Sequence, residues 1–198
     1  MTTVNVLSIG LDDAHEPPLR PLPPAVAELL QRLDAPPRLV AHLRAVHDVA
    51  RQLVDWLEPQ YPELPFDRDA VLYGAATHDI GKILHAAELC GPGAEHEEAG
   101  RDLLVEHGVS AELARFAATH ASWNAPGIGI EDLIVSLADK VWKNKRVSDL
   151  EDRVVAELSR AGGRPAWEEY MHLDEFLTRI GDGADERLAH QMSHPVRY

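Results

Sequence analysis

A single cysteine, Cys90, stands among 198 residues. One thiol can form neither an internal disulfide nor a Cys-x-x-Cys metal knuckle, so a reducing compartment, the cytoplasm, is expected. Long apolar runs are also missing. No segment approaches the ~18 to 20 residues that a membrane span needs, and Met1 to Gly10 lacks the basic start and apolar stretch of a secretion signal. A soluble chain with no membrane partner is expected. Basic residues are scarce, 19 Lys and Arg against 33 Asp and Glu, for a formal charge of -14. Affinity for polymeric nucleic acid comes largely from cations that neutralise phosphates, so no such partner is expected. The acidity does not disfavour a small phosphorylated ligand, because bound divalent ions reverse the sign of a site locally. Repeats, heptads and low-complexity blocks are absent, and alternating β-branched stretches nearly so, which leaves an all-α fold.

Proline and helical periodicity divide what is present. Five prolines between residues 11 and 24 make residues 1–24 an irregular lead-in, with one short strand expected at Val4 to Ile9. Residues 25–198 read as one domain of about seven to nine helices, with a core at 36–146 and a helical extension at 147–198. Apolar residues recur at helical spacing from Val26 to Leu33, and the Pro36-Pro37 pair starts a second helix with a stripe from Leu39 to Leu57. Pro59, Pro62 and Pro65 break the chain before Asp67, which suits the N-cap of a helix running toward Gly81. Further helices are expected at 94–107, ended by Gly108, at 111–121, capped by Ser110, and at 131–145. Ser148 with Glu151 matches a capping box, and Pro165 suits the first turn of another helix. The extension is expected to pack over the core or to form a homodimer contact, and Trp142 and Trp167 are expected in the core.

Eleven histidines are many, but only position distinguishes a functional one. In Ala76-Thr77-His78-Asp79-Ile80-Gly81-Lys82 an imidazole and a carboxylate stand side by side where an apolar helix meets a glycine. Adjacent helical residues point about 100° apart, so the two can meet one ion only at a helix edge. A carboxylate has two oxygens and can bridge two cations, whereas an imidazole gives one nitrogen, so one aspartate with several histidines suits a paired site. The same dipeptide recurs as His47-Asp48 inside a long amphipathic helix, and context separates the copies.

The order His47, His78-Asp79, His96, His120 and Asp139 resembles the H, HD, H, H, D pattern of HD-superfamily metalloproteins. So do the flanking segments Thr77 to Lys82 and Leu137 to Val141. The resemblance implies a helical metal-dependent phosphohydrolase. One ion would be held by His47, His78, Asp79 and Asp139, and a second would be completed by His96 and His120. The ions would be divalent, drawn from Fe, Mn, Mg, Zn, Co or Ni. Metal-activated water would hydrolyse a phosphoester or phosphoanhydride in a small phosphorylated metabolite, a nucleotide foremost, with Asp79 and Lys82 in catalytic roles. Lys82, Lys140, Lys143, Trp123 and Asn124 are the candidate substrate contacts, while Lys145 and Arg146 extend the basic cluster. In size and ligand count the chain is similar to HD-type dinucleoside polyphosphate hydrolases, but its lead-in is longer and its interval from Asp79 to His96 shorter. HD-type di-iron oxygenases use a similar ligand set, and a non-catalytic nucleotide-binding HD domain is a third reading. His42, His85, His107, His172, His190 and His194 have no place in the ligand order and are expected mostly at the surface, with His85 near the pocket rim.

Overall fold

Prolines and small polar caps set the helix starts. The computed structural model describes residues 18–196, among which there are nine α-helices, two 3-10 turns and no strand. The strand expected at Val4 to Ile9 lies outside the described residues. Helix α1 (Pro24–Arg32) begins on a proline, where the missing N–H is no loss, and buries Val26, Leu29 and Leu30. Helix α2 (Pro37–Gln60) also starts on proline and continues through Pro59, where a break was expected. Pro59 stands in the last turn, so few backbone bonds beyond it are at stake. Asp67 accepts from the amides of Asp69 and Ala70, at 2.8 and 3.1 Å, and starts α3 (Arg68–Thr77).

The 3-10 turns Ile80–Ile83 and Ala86–Leu89 lead to α4 (Glu95–Glu106), beyond which Gly108 takes the left-handed φ of 82°. Ser110 caps α5 (Ala111–Thr119) through the Leu113 amide. Then follow α6 (Ile130–Val141), α7 (Ser148–Gly162), α8 (Ala166–Asp182) and α9 (Ala184–Met192). The capping box expected at Ser148 forms only in part. Val147 is the N-cap, Ser148 is already helical, and Glu151 reaches back to the Val147 amide at 2.9 Å. Pro165 is the N-cap of α8. No helix among the described residues is long and apolar enough to cross a membrane.

Two apolar clusters meet along a seam. One joins Ala45 to Leu57 of α2, Ala70 to Ala75 of α3, Phe116 and most of α6 to α7 and α8. The other joins α1, Leu39 to Leu43 of α2, Ala76, Ile80, α4 and Ala117. The changeover falls at residues 43–45 of α2, 75–76 of α3 and 116–117 of α5, and the polar site lies beside these points.

The extension is tied to the core by buried ions. Tyr61 donates to Glu169, which is wholly buried and also receives Arg164 at 3.0 Å, while Arg146 binds Glu151 and Asp174. Arg187 of α9 donates to the Trp142 carbonyl at 2.8 Å, and Arg38 of α2 to the His194 carbonyl at 2.9 Å. Trp142 is buried as expected, but Trp167 is 70% exposed. Against the expected surface positions, His190 and His194 are buried.

Candidate metal centre

Asp79 is the centre of the arrangement, and its position follows from how α3 ends. The helix stops at Thr77, whose hydroxyl donates to the Tyr73 carbonyl, and His78 and Asp79 follow before the chain turns into 3-10 geometry. At such an edge neighbouring side chains can converge. Gly81 then passes against the backbone of α4, where a Cβ would lie 2.0 Å from the His96 carbonyl oxygen and 2.6 Å from the Gly100 nitrogen. Glycine at position 81 therefore lets α4 bring His96 close to Asp79.

The two Asp79 oxygens face different imidazoles. Oδ2 lies 2.9 Å from His42 Nε2 and 3.6 Å from His78 Nε2, while Oδ1 lies 2.9 Å from His96 Nε2 and 3.5 Å from His120 Nε2. Asp139 of α6 approaches the first pair, its Oδ1 3.5 Å from His78 Nε2 and 3.9 Å from His42 Nε2. All six side chains are buried. Two donor groups result, His42 with His78 and Asp139, and Asp79 with His96 and His120.

The structure brings together five of the six residues proposed from the sequence, His78, Asp79, His96, His120 and Asp139, and replaces the sixth. His42, not His47, reaches the cluster. The two are five residues apart on one helix, which turns them about 140° from each other, so they cannot share a face. No solvent-facing stripe marks the difference, because α2 is buried on all sides from Leu39 to Ala50. His47 points away from the cluster and lines a separate cavity with Arg51, Asp69 and Tyr73. Its neighbour Asp48 accepts from the Arg20 amide and the Gln52 side chain, a structural role.

Backbone and carboxylate acceptors orient the rings. His78 Nδ1 and His120 Nδ1 each lie 2.9 Å from a carbonyl, of Ala75 and Ala117, so each donates there and turns Nε2 inward. His96 Nδ1 is held by Glu88, a residue the sequence reading did not single out. The Glu88 carboxylate also receives the Glu95 and His96 amides at the start of α4. Gly93 makes room for it, since a Cβ there would stand 2.3 Å from the carboxyl carbon. His42 rests edge-on against Trp142, ring centroids 4.9 Å apart.

Electrostatics prepare the donors. Burial works against ionised Asp79, but the His78 charge and bonds from His42 and His96 outweigh it and hold the carboxyl well below its ordinary range. Burial likewise opposes ionised Asp139, and His78 and Lys140 hold it low. Burial pushes His42 down, and pushes His120 down to about 4. His96 moves up, as Asp79 and Glu88 overcome its burial. Ionised carboxylates and imidazole nitrogens aimed at them are the donor chemistry of a divalent-cation site. Glu88 holds His96 Nδ1, which leaves Nε2, 2.9 Å from Asp79 Oδ1, as the ring nitrogen a cation at Asp79 would meet.

Two lysines flank the carboxylates. Lys82 Nζ lies 2.5 Å from Asp79 Oδ2, and Lys140 Nζ 2.5 Å from Asp139 Oδ2. Lys82, His42, Trp142 and Lys143 line a cavity of about 510 Å3, with Gln191 of α9 on its wall. Trp123 does not line it, but its ring lies under Lys140 Nζ at 5.6 Å. Asn124 is exposed and outside the cavity, Lys145 is exposed, and Arg146 is engaged with Glu151 and Asp174. His85 pairs with Glu95 rather than lining the cavity.

Residues 39–142 match the family model of the HD domain, a span that contains all six convergent residues. No curated protein and no solved structure matches the chain significantly.

Proposed function

The chain belongs to the HD domain family, whose members are mostly metal-dependent phosphohydrolases, and from that premise we propose that it hydrolyses a phosphoester or phosphoanhydride bond in a small phosphorylated metabolite, a nucleotide foremost. The observation that carries the reading is the Asp79 carboxylate, whose two oxygens face two separate sets of imidazoles beside lysine ammonium groups. His42, His78, Asp139 and Asp79 Oδ2 would hold one divalent ion, and Asp79 Oδ1, His96 and His120 a second. Such ions, when bound, supply water activation and neutralise charge on phosphoryl oxygens.

The chain's own residues supply the rest. Lys82, half-buried at the cavity wall, can pass its ammonium from Asp79 to a substrate phosphoryl oxygen. Lys143 adds positive charge on the same wall, and Trp142 gives an apolar face against which the non-phosphate part of a substrate can lie while water is kept from the His42 ring. Lys140 holds Asp139 ionised and oriented. The cavity volume suits a single small molecule rather than a polymer.

Phosphate release from a nucleotide panel, measured on anaerobically purified protein supplied with Mn2+ or Fe2+, tests the reading. Release by the parent protein and its loss in Asp79→Ala support it. Oxygen uptake without phosphate release would replace it with the oxygenase reading, and nucleotide binding without turnover with the regulatory one.

A further inference from the structure

On the side of α2 turned away from the metal centre lies a second polar constellation that the hydrolytic reading does not use. His47 is 1% exposed, and neither of its ring nitrogens has a hydrogen-bond partner. Buried polar groups are nearly always paired, so an imidazole with both nitrogens unsatisfied needs an explanation. One turn further along the same face stands Arg51, half-buried and without an ion pair among the described residues. Across the gap α3 presents Asp69 and Tyr73, another pair four residues apart and so on one face. Together with Leu22, Leu72 and the prolines of segment 21–24, these groups line a cavity of about 420 Å3, within the range of small-molecule sites.

The chemistry of the wall limits the occupant. Burial, together with the charges of Arg51, Arg20 and Arg44, lowers the His47 pKa to about 4, so near neutral pH the ring carries one N–H donor and one acceptor nitrogen. The guanidinium of Arg51 is the cationic group on the wall and offers the forked donors that fit a carboxylate. Asp69 at the rim repels a second negative charge. Leucine and proline surfaces take an apolar body. Buried His42 and His194 each leave one ring nitrogen without a partner, but His47 leaves both, and it does so on one cavity with Arg51 and Asp69.

We propose that this cavity binds a small monocarboxylic acid with an apolar body, its carboxylate on Arg51 and the His47 N–H and its body against Leu22, Leu72 and the prolines. The site is distinct from the metal centre, although α2 and α3 contribute to both.

Calorimetric titration of the full chain with phenylacetate and hexanoate tests the assignment, with phenylacetamide and phenyl phosphate as comparison probes. At least one acid should bind saturably. Its affinity should fall about tenfold or more in Arg51→Gln, as expected for loss of a charge-assisted bond, and likewise in His47→Phe. Phenylacetamide should bind correspondingly more weakly. Phenyl phosphate is titrated in an Asp79→Asn background, so that the metal centre does not contribute. Absence of saturable binding by both acids, or binding undiminished in Arg51→Gln, would overturn the proposal. Phenyl phosphate binding as tightly as the acids would overturn the carboxylate assignment. Arg51 is half-buried, so its variant reports even if His47→Phe fails to fold.

Discussion

His42, which faces Asp79, and His47, which lines a separate cavity with Tyr73, stand five positions apart on one helix, and the sequence pattern does not tell them apart because α2 is buried on every side there. His78 and Asp79 could be read from their segment, since polar residues where an apolar helix meets a glycine stand out, whereas Asp139 was legible only through the resemblance of its segment to the HD pattern. Glu88 could not. It lies eight residues before the ring it holds, in a short 3-10 turn with no periodicity of its own. Its carboxylate orients His96, and loss of such a partner commonly weakens metal affinity 10- to 100-fold, so Glu88→Gln should lower affinity for a second Mn2+ by about that factor in calorimetry. His47 has a different signature. The unfolded chain protonates this imidazole near pH 6.5, whereas the folded chain resists until about pH 4. The unfolded state therefore binds more protons between these values, and stability must fall as pH drops through them. Urea titrations at pH 7 and pH 4.5 should show His47→Phe losing less stability on acidification than the parent, by up to ~3 kcal/mol.

Among the elements, the helix starts were legible wherever a proline or an N-cap side chain marks them, as at Pro37, Asp67 and Ser110. Pro59 misled because a proline in a last turn disturbs little, and Ser148 because Val147 takes the cap while Glu151 also answers to Arg146. How closely α4 approaches the turn after α3 is a tertiary fact that local pattern does not carry. Gly81 and Gly100 permit that approach, with the Gly100 Cβ position 3.0 Å from the Gly81 nitrogen. Gly81→Ala must push α4 away, and overpacking of this kind costs about 1–3 kcal/mol. Thermal denaturation should show that loss. Because His96 moves with α4, Mn2+ binding should weaken in the same variant even at temperatures where it remains folded.

For the whole molecule, the all-helical class followed from periodicity, while the site's position followed from packing, at the seam between two apolar clusters. The extension beyond residue 147 read from sequence only as further helices. In the structure it is bound to the core by Tyr61, Glu169 and Arg164, and α9 adds Gln191 to the wall of the lysine-lined cavity. Glu169→Ala leaves the buried Tyr61 hydroxyl without its acceptor while Arg164 stays partly solvated, and a loss of about 1–3 kcal/mol is expected in chemical denaturation. The central claim is that the centre is built on His42 and turns over a phosphorylated substrate. Metal-dependent phosphate release by His42→Ala and His47→Ala, assayed beside the parent protein, tests it most directly. The account predicts release abolished in His42→Ala and retained in His47→Ala, and release retained in His42→Ala but lost in His47→Ala would contradict it.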